Sequence, residues 1–219
     1  MKSSISIWSF PASMSLEEKF RLAHSAGFAG FEIELSEEGP VALQSSADDL
    51  RAVRRLAEKH NLQLSGLATG LYWGANAASA DRATAARATA ILERQLKVAG
   101  ALGIDAILVV PGAVGVDFIP NAEIVPYNEA YFRARKFIAA AVPQAEKLGV
   151  TIGIENVWNK FLLSPREMLE FVASFDSPRV AAYFDVGNAL ATGYPEHWIE
   201  ILGSKIVRVH FKDYRRAVG

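Results

Sequence analysis

Three residues at the ends of β-like runs carry the clearest chemistry in the sequence. Glu155 closes Thr151-Ile152-Gly153-Ile154-Glu155, Asp185 closes Tyr183-Phe184-Asp185, and His210 lies in Val207-Arg208-Val209-His210-Phe211. Side chains alternate between the two faces of a strand. With Ile152 and Ile154 turned to an apolar layer, Glu155 takes the opposite face. Asp185 shares its face with Tyr183. Arg208, His210 and Lys212 share another, which leaves the valines and Phe211 for a helix layer. In Phe31-Glu32-Ile33-Glu34-Leu35 the same alternation turns Glu32 and Glu34 inward. Buried ionisable groups must be neutralised by one another, by water or by a metal. Two carboxylates and one imidazole suit Mg²⁺, Mn²⁺, Co²⁺ or Zn²⁺ and do not choose among them. The alternative is ion pairing of Glu155 and Asp185 with Arg208 and Lys212, with no metal.

The elements that must position these groups alternate along the whole chain. Strand-like runs are Ser4–Phe10, Gly30–Leu35, Leu62–Leu67, Ala106–Val110, Val150–Glu155, Val180–Asp185 and Lys205–Lys212. Amphipathic stretches separate them: Ser15–Ala26, Ser46–His60, Asp81–Leu102, Tyr127–Leu148, Ser164–Phe175 and Asn188–Leu202. Ser15-Leu-Glu-Glu18 and Ser164-Pro-Arg-Glu167 fit capping boxes, the second with proline at the first helical position. Gly27, Gly103 and Gly149 follow three of the helices as stop signals. Repeated βα units imply parallel strands. The interval from 155 to 185 is 30 residues and from 185 to 210 is 25, each about one such unit, so the three groups come from consecutive strands. A doubly wound sheet would usually carry a glycine-rich loop after its first strand, where this chain reads Trp8-Ser9-Phe10-Pro11. The expected architecture is therefore a TIM (β/α)8-type barrel, a single domain over residues 1–219. Seven strands are identifiable and no eighth βα unit is read before Gly219, so the expectation is either a chain that continues past Gly219 or a barrel that closes abnormally. Glu155 and Asp185 then lie on the C-terminal face, where barrel active sites are built.

The runs Ile154-Glu155-Asn156, Phe184-Asp185-Val186-Gly187-Asn188 and Val209-His210-Phe211-Lys212-Asp213 resemble the fifth, sixth and seventh strand signatures of the sugar phosphate isomerase/epimerase family of the xylose-isomerase-like superfamily. Gly193-Tyr194-Pro195-Glu196-His197-Trp198-Ile199 is similar to members acting on sugar phosphates. The resemblance implies a divalent metal on Glu155, Asp185 and His210, with a fourth ligand, a glutamate, expected some 30–40 residues on if barrel spacing holds. It implies that Glu155 is both ligand and acid/base in isomerising or epimerising a ketose or ketose phosphate through an enediolate. It implies a substrate role for Arg216, six residues after His210. Two positions depart from the ketose 3-epimerases: Asn188 stands where they often have histidine, and Asn156–Phe161 lacks their second glutamate. An inosose dehydratase-like lyase on the same metal site, or a catalytically inactive sugar-binding barrel, are the other readings.

Weaker substrate-binding candidates are Glu34, Trp8, Trp158, Asn188 and Lys212. Each has an ordinary alternative: an ion pair for Glu34 and Lys212, packing under a loop for the tryptophans. His24, His60 and His197 fall in helices and read as surface residues. Pro111–Pro126 is long enough for a lid or for a static loop. The absence of cysteine excludes disulfides and thiolate chemistry, and the net charge of −1 gives no footprint for nucleic acid or an anionic membrane. No apolar run reaches membrane-spanning length. The expectation is a cytoplasmic enzyme taking a small sugar or sugar phosphate, with homo-oligomers common among similar proteins.

Overall fold

A computed structural model describes residues 2–215. Seven strands form one parallel sheet in sequence order: β1 (Ser4–Ser6), β2 (Gly30–Glu34), β3 (Gln63–Ala68), β4 (Ala106–Val109), β5 (Thr151–Glu155), β6 (Val180–Asp185) and β7 (Ile206–His210). The intervening helices are α1 (Leu16–Ser25), α2 (Ala47–Lys59), α3 (Arg82–Leu102), α4 (Tyr127–Leu148), α5 (Pro165–Ala173), α6 (Val186–Leu190) and α7 (Pro195–Leu202). The TIM-barrel expectation holds. Among the described residues no helix is long and apolar enough to cross a membrane.

The alternation read from the sequence sets the layers. Ile33, Ile107, Val109, Ile152, Ile154 and Phe184 point outward and are almost fully buried against Phe20, Leu92, Leu96, Ile138 and Phe171 of the helices. The inward face carries a small apolar cluster, Ala68, Leu108 and Tyr183, with Val207 packed on it. Two strand glycines make room for the Tyr183 ring. A methyl group on Gly153 would lie 2.7 Å from Tyr183 Cδ2, and one on Gly66 would lie 2.7 Å from its hydroxyl. One seam is thin: β3 and β4 share a single matched pair, Leu67 with Ile107. There the fully buried Gln95 of α3 donates its amide to both Leu67 O (2.9 Å) and Leu108 O (3.0 Å) and accepts from the Tyr72 hydroxyl.

Several boundaries moved. The first strand stops at Ser6, and Ile7–Ser9 form a 3₁₀ turn whose N-cap is Ser6. The single helix expected over Asn188–Leu202 is two, because Pro195 disfavours helical backbone at Tyr194 and starts α7. Ser15 and Glu18 form the reciprocal capping box. Ser164 caps α5 as expected, but the Glu167 carboxylate bonds the Leu163 amide and the Tyr127 hydroxyl instead of closing a box. A register shift between Ala182 and Tyr183 on β6 turns Val207 to the interior cluster, and Phe211, 75% exposed, meets solvent; neither faces a helix as the alternation predicted. Val209 does pack on the helix-side core. His60 is partly buried beside Glu17, whereas His24 and His197 are exposed.

Candidate metal centre

β5, β6 and β7 end side by side. The ladder pairs Glu155 with Tyr183 and Asp185 with His210, so the three side chains leave adjacent strand ends on the same face. One ligand atom from each lies within 4.8 Å of the others. His210 Nδ1 is 3.4 Å from Glu155 Oε1 and 3.9 Å from Asp185 Oδ2. Glu155, Asp185 and His210 are the residues that would hold a divalent ion, and their oxygen and nitrogen donors suit one.

Backbone-directed amides hold the carboxylates in place. Asn156 Nδ2 donates to Asp185 O, and Asn156 Oδ1 accepts from Asp185 N, both at 2.8 Å, which locks the end of β5 to the end of β6. Asp185 caps α6: its Oδ1 accepts the Asn188 amide at 2.6 Å. That leaves Oδ2 facing His210 and Lys212. Asn188 Nδ2 donates to Asn156 O, and Asn188 Oδ1 accepts from Lys212 Nζ at 2.6 Å. Lys212 Nζ also pairs with Asp185 Oδ2 at 3.2 Å and sits 5.1 Å from the centre of the Trp158 ring. The lysine chain crosses Gly187, where a methyl group would lie 2.5 Å from Lys212 Cγ.

The other side of the His210 ring meets β2. Nε2 lies 2.9 and 3.0 Å from the two oxygens of Glu32, a carboxylate only 4% exposed that also accepts the Tyr183 hydroxyl. Sequence alternation turned both Glu32 and Glu34 inward but singled out Glu34. The structure places Glu34 half-buried at the strand end near Gly70, while Glu32 makes the contacts with His210. Glu34 is not the partner of the nearby inward cations: Arg208 pairs with Asp105 and Lys212 with Asp185. Trp158 and Lys212 are brought together at the rim. Trp8 is half exposed on the turn after β1 and takes no part in the hydrogen bonds of the three converging residues. Arg216 lies outside the described residues. Asn156 was missed as a site residue; its position directly after Glu155 was the available signal.

Electrostatics follow from burial and crowding. Burial pushes the Glu155 carboxyl above its ordinary value, with His210 opposing and Asp185 adding to the rise. For His210, burial works against the imidazolium, but Glu155 and Glu32 outweigh it and push its pKa up to about 10. Burial would also raise Glu32, yet hydrogen bonds and charge from His210 hold it below the usual carboxylate value. The positive charge facing these carboxylates comes from the protonated His210 ring, with the Lys212 amine beside Asp185. A divalent ion is the third way to supply that positive charge, and the donor set fits one.

Residues 20–219 match a family described as the xylose isomerase-like TIM barrel. The chain belongs to that family. It is 30% identical over 122 residues to an uncharacterized protein of Methanocaldococcus jannaschii, MJ1311, a stretch covering 53% of this chain and 41% of the relative. It is 29% identical over 82 residues to the 3-oxo-isoapionate decarboxylase of Pectobacterium atrosepticum, covering 37% of this chain and 29% of the relative. These matches span less than half the length of either relative. Among solved structures, a D-psicose 3-epimerase crystallised in the presence of D-fructose superposes with a TM-score of 0.83 at 21% identity, over 97% of this chain and 73% of that one. At that identity the likeness speaks for the fold.

Proposed function

We propose that the chain is a metal-dependent isomerase or epimerase of a ketose or ketose phosphate, with Glu155 as metal ligand and acid/base. The observation that carries the reading is the convergence of Glu155, Asp185 and His210 within 4.8 Å at the C-terminal strand ends. A divalent ion bound by these three would polarise a substrate carbonyl and stabilise the enediolate charge that develops when the neighbouring C–H is lost. Glu155 is the group placed to take and return that proton. Its raised pKa brings the carboxyl nearer to neutral pH, where a base can both accept and release. Asp185, anchored by Asn156 and Asn188, turns Oδ2 toward the same space, where Lys212 pairs with it. Lys212, at the rim over Trp158, is placed to meet a substrate oxygen or phosphate, and Trp158, 47% exposed, offers an apolar face to a sugar ring. Returning the proton to a neighbouring carbon needs one acid/base; inverting a centre needs a second on the opposite face. The candidate ligand is a small sugar, and Mn²⁺, Mg²⁺, Co²⁺ or Zn²⁺ the candidate ion.

The similarity to a 3-oxo acid decarboxylase favours one second reading: loss of carbon dioxide instead of a proton, leaving the same enolate. One assay separates the two. The metal-loaded protein is incubated in deuterated water with a panel of ketoses, ketose phosphates and 3-oxo sugar acids. Isomerisation incorporates deuterium at carbon, and decarboxylation releases carbon dioxide. Glu155→Gln is expected to lower deuterium incorporation by about 10²–10⁴-fold. Undiminished incorporation in that variant overturns the role of Glu155.

A further inference from the structure

We infer that Glu32, on the far side of the barrel axis, is a positioning residue for the metal centre: it holds the His210 ring so that Nδ1, and not Nε2, faces Glu155 and Asp185. The inference rests on the metal reading above and adds to it a residue on β2 that contacts neither carboxylate ligand.

The geometry leaves little freedom. An imidazole presents two nitrogens, and an ion can take one only if the other is occupied in a way that fixes the ring. His210 Nε2 lies between both oxygens of Glu32, at 2.9 and 3.0 Å, and Nδ1 lies 3.4 Å from Glu155 on the opposite side. A buried carboxylate has only acceptors, so Nε2 must carry hydrogen and donate, which frees the Nδ1 lone pair for an ion. Glu32 is itself fixed. The Tyr183 hydroxyl donates to it, and Tyr183 stacks edge-on against the His210 ring at 4.9 Å between centroids. The hydroxyl has room because β3 carries glycine at 66, where a methyl group would lie 2.7 Å from it and 3.2 Å from Glu32 Oε2. The His210 ring and the Tyr183 hydroxyl thus converge on one carboxylate, which Ser6 also bonds. A glutamine there has a single acceptor oxygen and must turn its amino group toward one of them. The structural alternative, that Glu32 merely balances buried charge, predicts no dependence of ring orientation on the carboxylate.

The test is Mn²⁺ titration calorimetry on the full chain, with wild type, Asp185→Asn, Glu32→Gln and Tyr183→Phe side by side. Asp185→Asn is expected to abolish uptake. Glu32→Gln is expected to weaken it by about 10–100-fold, and Tyr183→Phe by about 2–10-fold, since Glu32 then loses one of its donors. Cobalt(II)-loaded protein gives a second readout. The proton on a ligated imidazole nitrogen appears as a strongly shifted NMR resonance that vanishes in deuterated water. In wild type it is expected to exchange slowly behind Glu32, and in Glu32→Gln to shift and exchange faster. Unchanged affinity and an unchanged resonance in Glu32→Gln, with Asp185→Asn inactive in binding, overturn the positioning role and leave the metal site standing. Failure of the wild type to bind either ion through Asp185 overturns both. If Glu32→Gln does not fold, Tyr183→Phe decides: weaker binding supports the inference and wild-type binding overturns it.

Discussion

Arg208 and His210 sit two residues apart on β7, face the same way, and both reach across the barrel axis. Arg208 Nε donates to Ser65 O at 2.9 Å, and its guanidinium pairs with Asp105, a carboxylate 65% exposed just before β4. His210 meets Glu32, Glu155 and Asp185, side chains between 3% and 11% exposed. The two residues do the same mechanical job, one from the middle of the strand and one from its end, and differ in hydration. At Arg208 the paired carboxylate is exposed to water, and the contact is worth what surface pairs are worth, up to about 1 kcal/mol. At the C-terminal end three carboxylates surround one ring with little water. That imbalance stores electrostatic potential that only a proton or a cation can relieve. Barrels place chemistry on one face and stability on the other, and here one strand carries a surface ion pair and the candidate metal ligand within three residues.

The contrast can be broken from either side. His210→Ala is expected to lose metal by more than about 100-fold, beyond the effect expected of a supporting residue, while Arg208→Ala keeps wild-type metal content; elemental analysis after dialysis tells them apart. Equal metal loss in the two variants would mean that β7 acts only as a scaffold. Proton linkage is the next largest effect. The ion must displace the proton that Glu155 and Glu32 hold on the His210 ring, so apparent affinity is expected to fall by about tenfold per pH unit as pH drops below about 10. Calorimetry in buffers of different ionisation enthalpy reads that proton directly. The same shift has a sign for folding. The raised pKa means that the His210 contribution in the metal-free protein is full below its ordinary value of 6.5 and is lost as pH rises through about 10. Metal-free protein is therefore expected to gain more from added metal at pH 9 than at pH 6, in melting temperature. Arg208→Ala comes next, at about 1–2 kcal/mol in urea unfolding, because it removes a hydrogen bond to backbone as well as an ion pair. Asp105→Asn, which removes only the exposed half of that pair, is expected to cost below about 1 kcal/mol.

The sequence made the barrel and its three converging residues legible because both depend on short-range regularities: βα spacing, and alternation within a strand. Glu155, Asp185 and His210 needed nothing more than three strand ends at matching intervals. Glu32 was harder. Alternation turns it and Glu34 to the same side, and choosing between them requires the height of β2 against β7, across the axis. That height depends on strand stagger and on irregular pairing at Phe31–Glu32 and at Ala182–Tyr183. No local pattern encodes those shifts. The same irregularity on β6–β7 turned Val207 inward against expectation. The two-part helix after β6 was a different kind of miss, since Pro195 was in plain view and the apolar pattern on either side obscured it.

The thin seam at Gln95 has a consequence for how the molecule is put together. With one matched pair between β3 and β4, a carboxamide borrowed from a helix supplies two of the bonds that join β1–β3 to β4–β7. Glu32 lies on one side of that seam and His210 on the other. The Glu32–His210 contact and the bond from Arg208 to Ser65 O tie the same two sets of strands together a second time. The placing of Glu32 against His210 thus depends on how the strands meet at Gln95, a glutamine with no chemistry of its own.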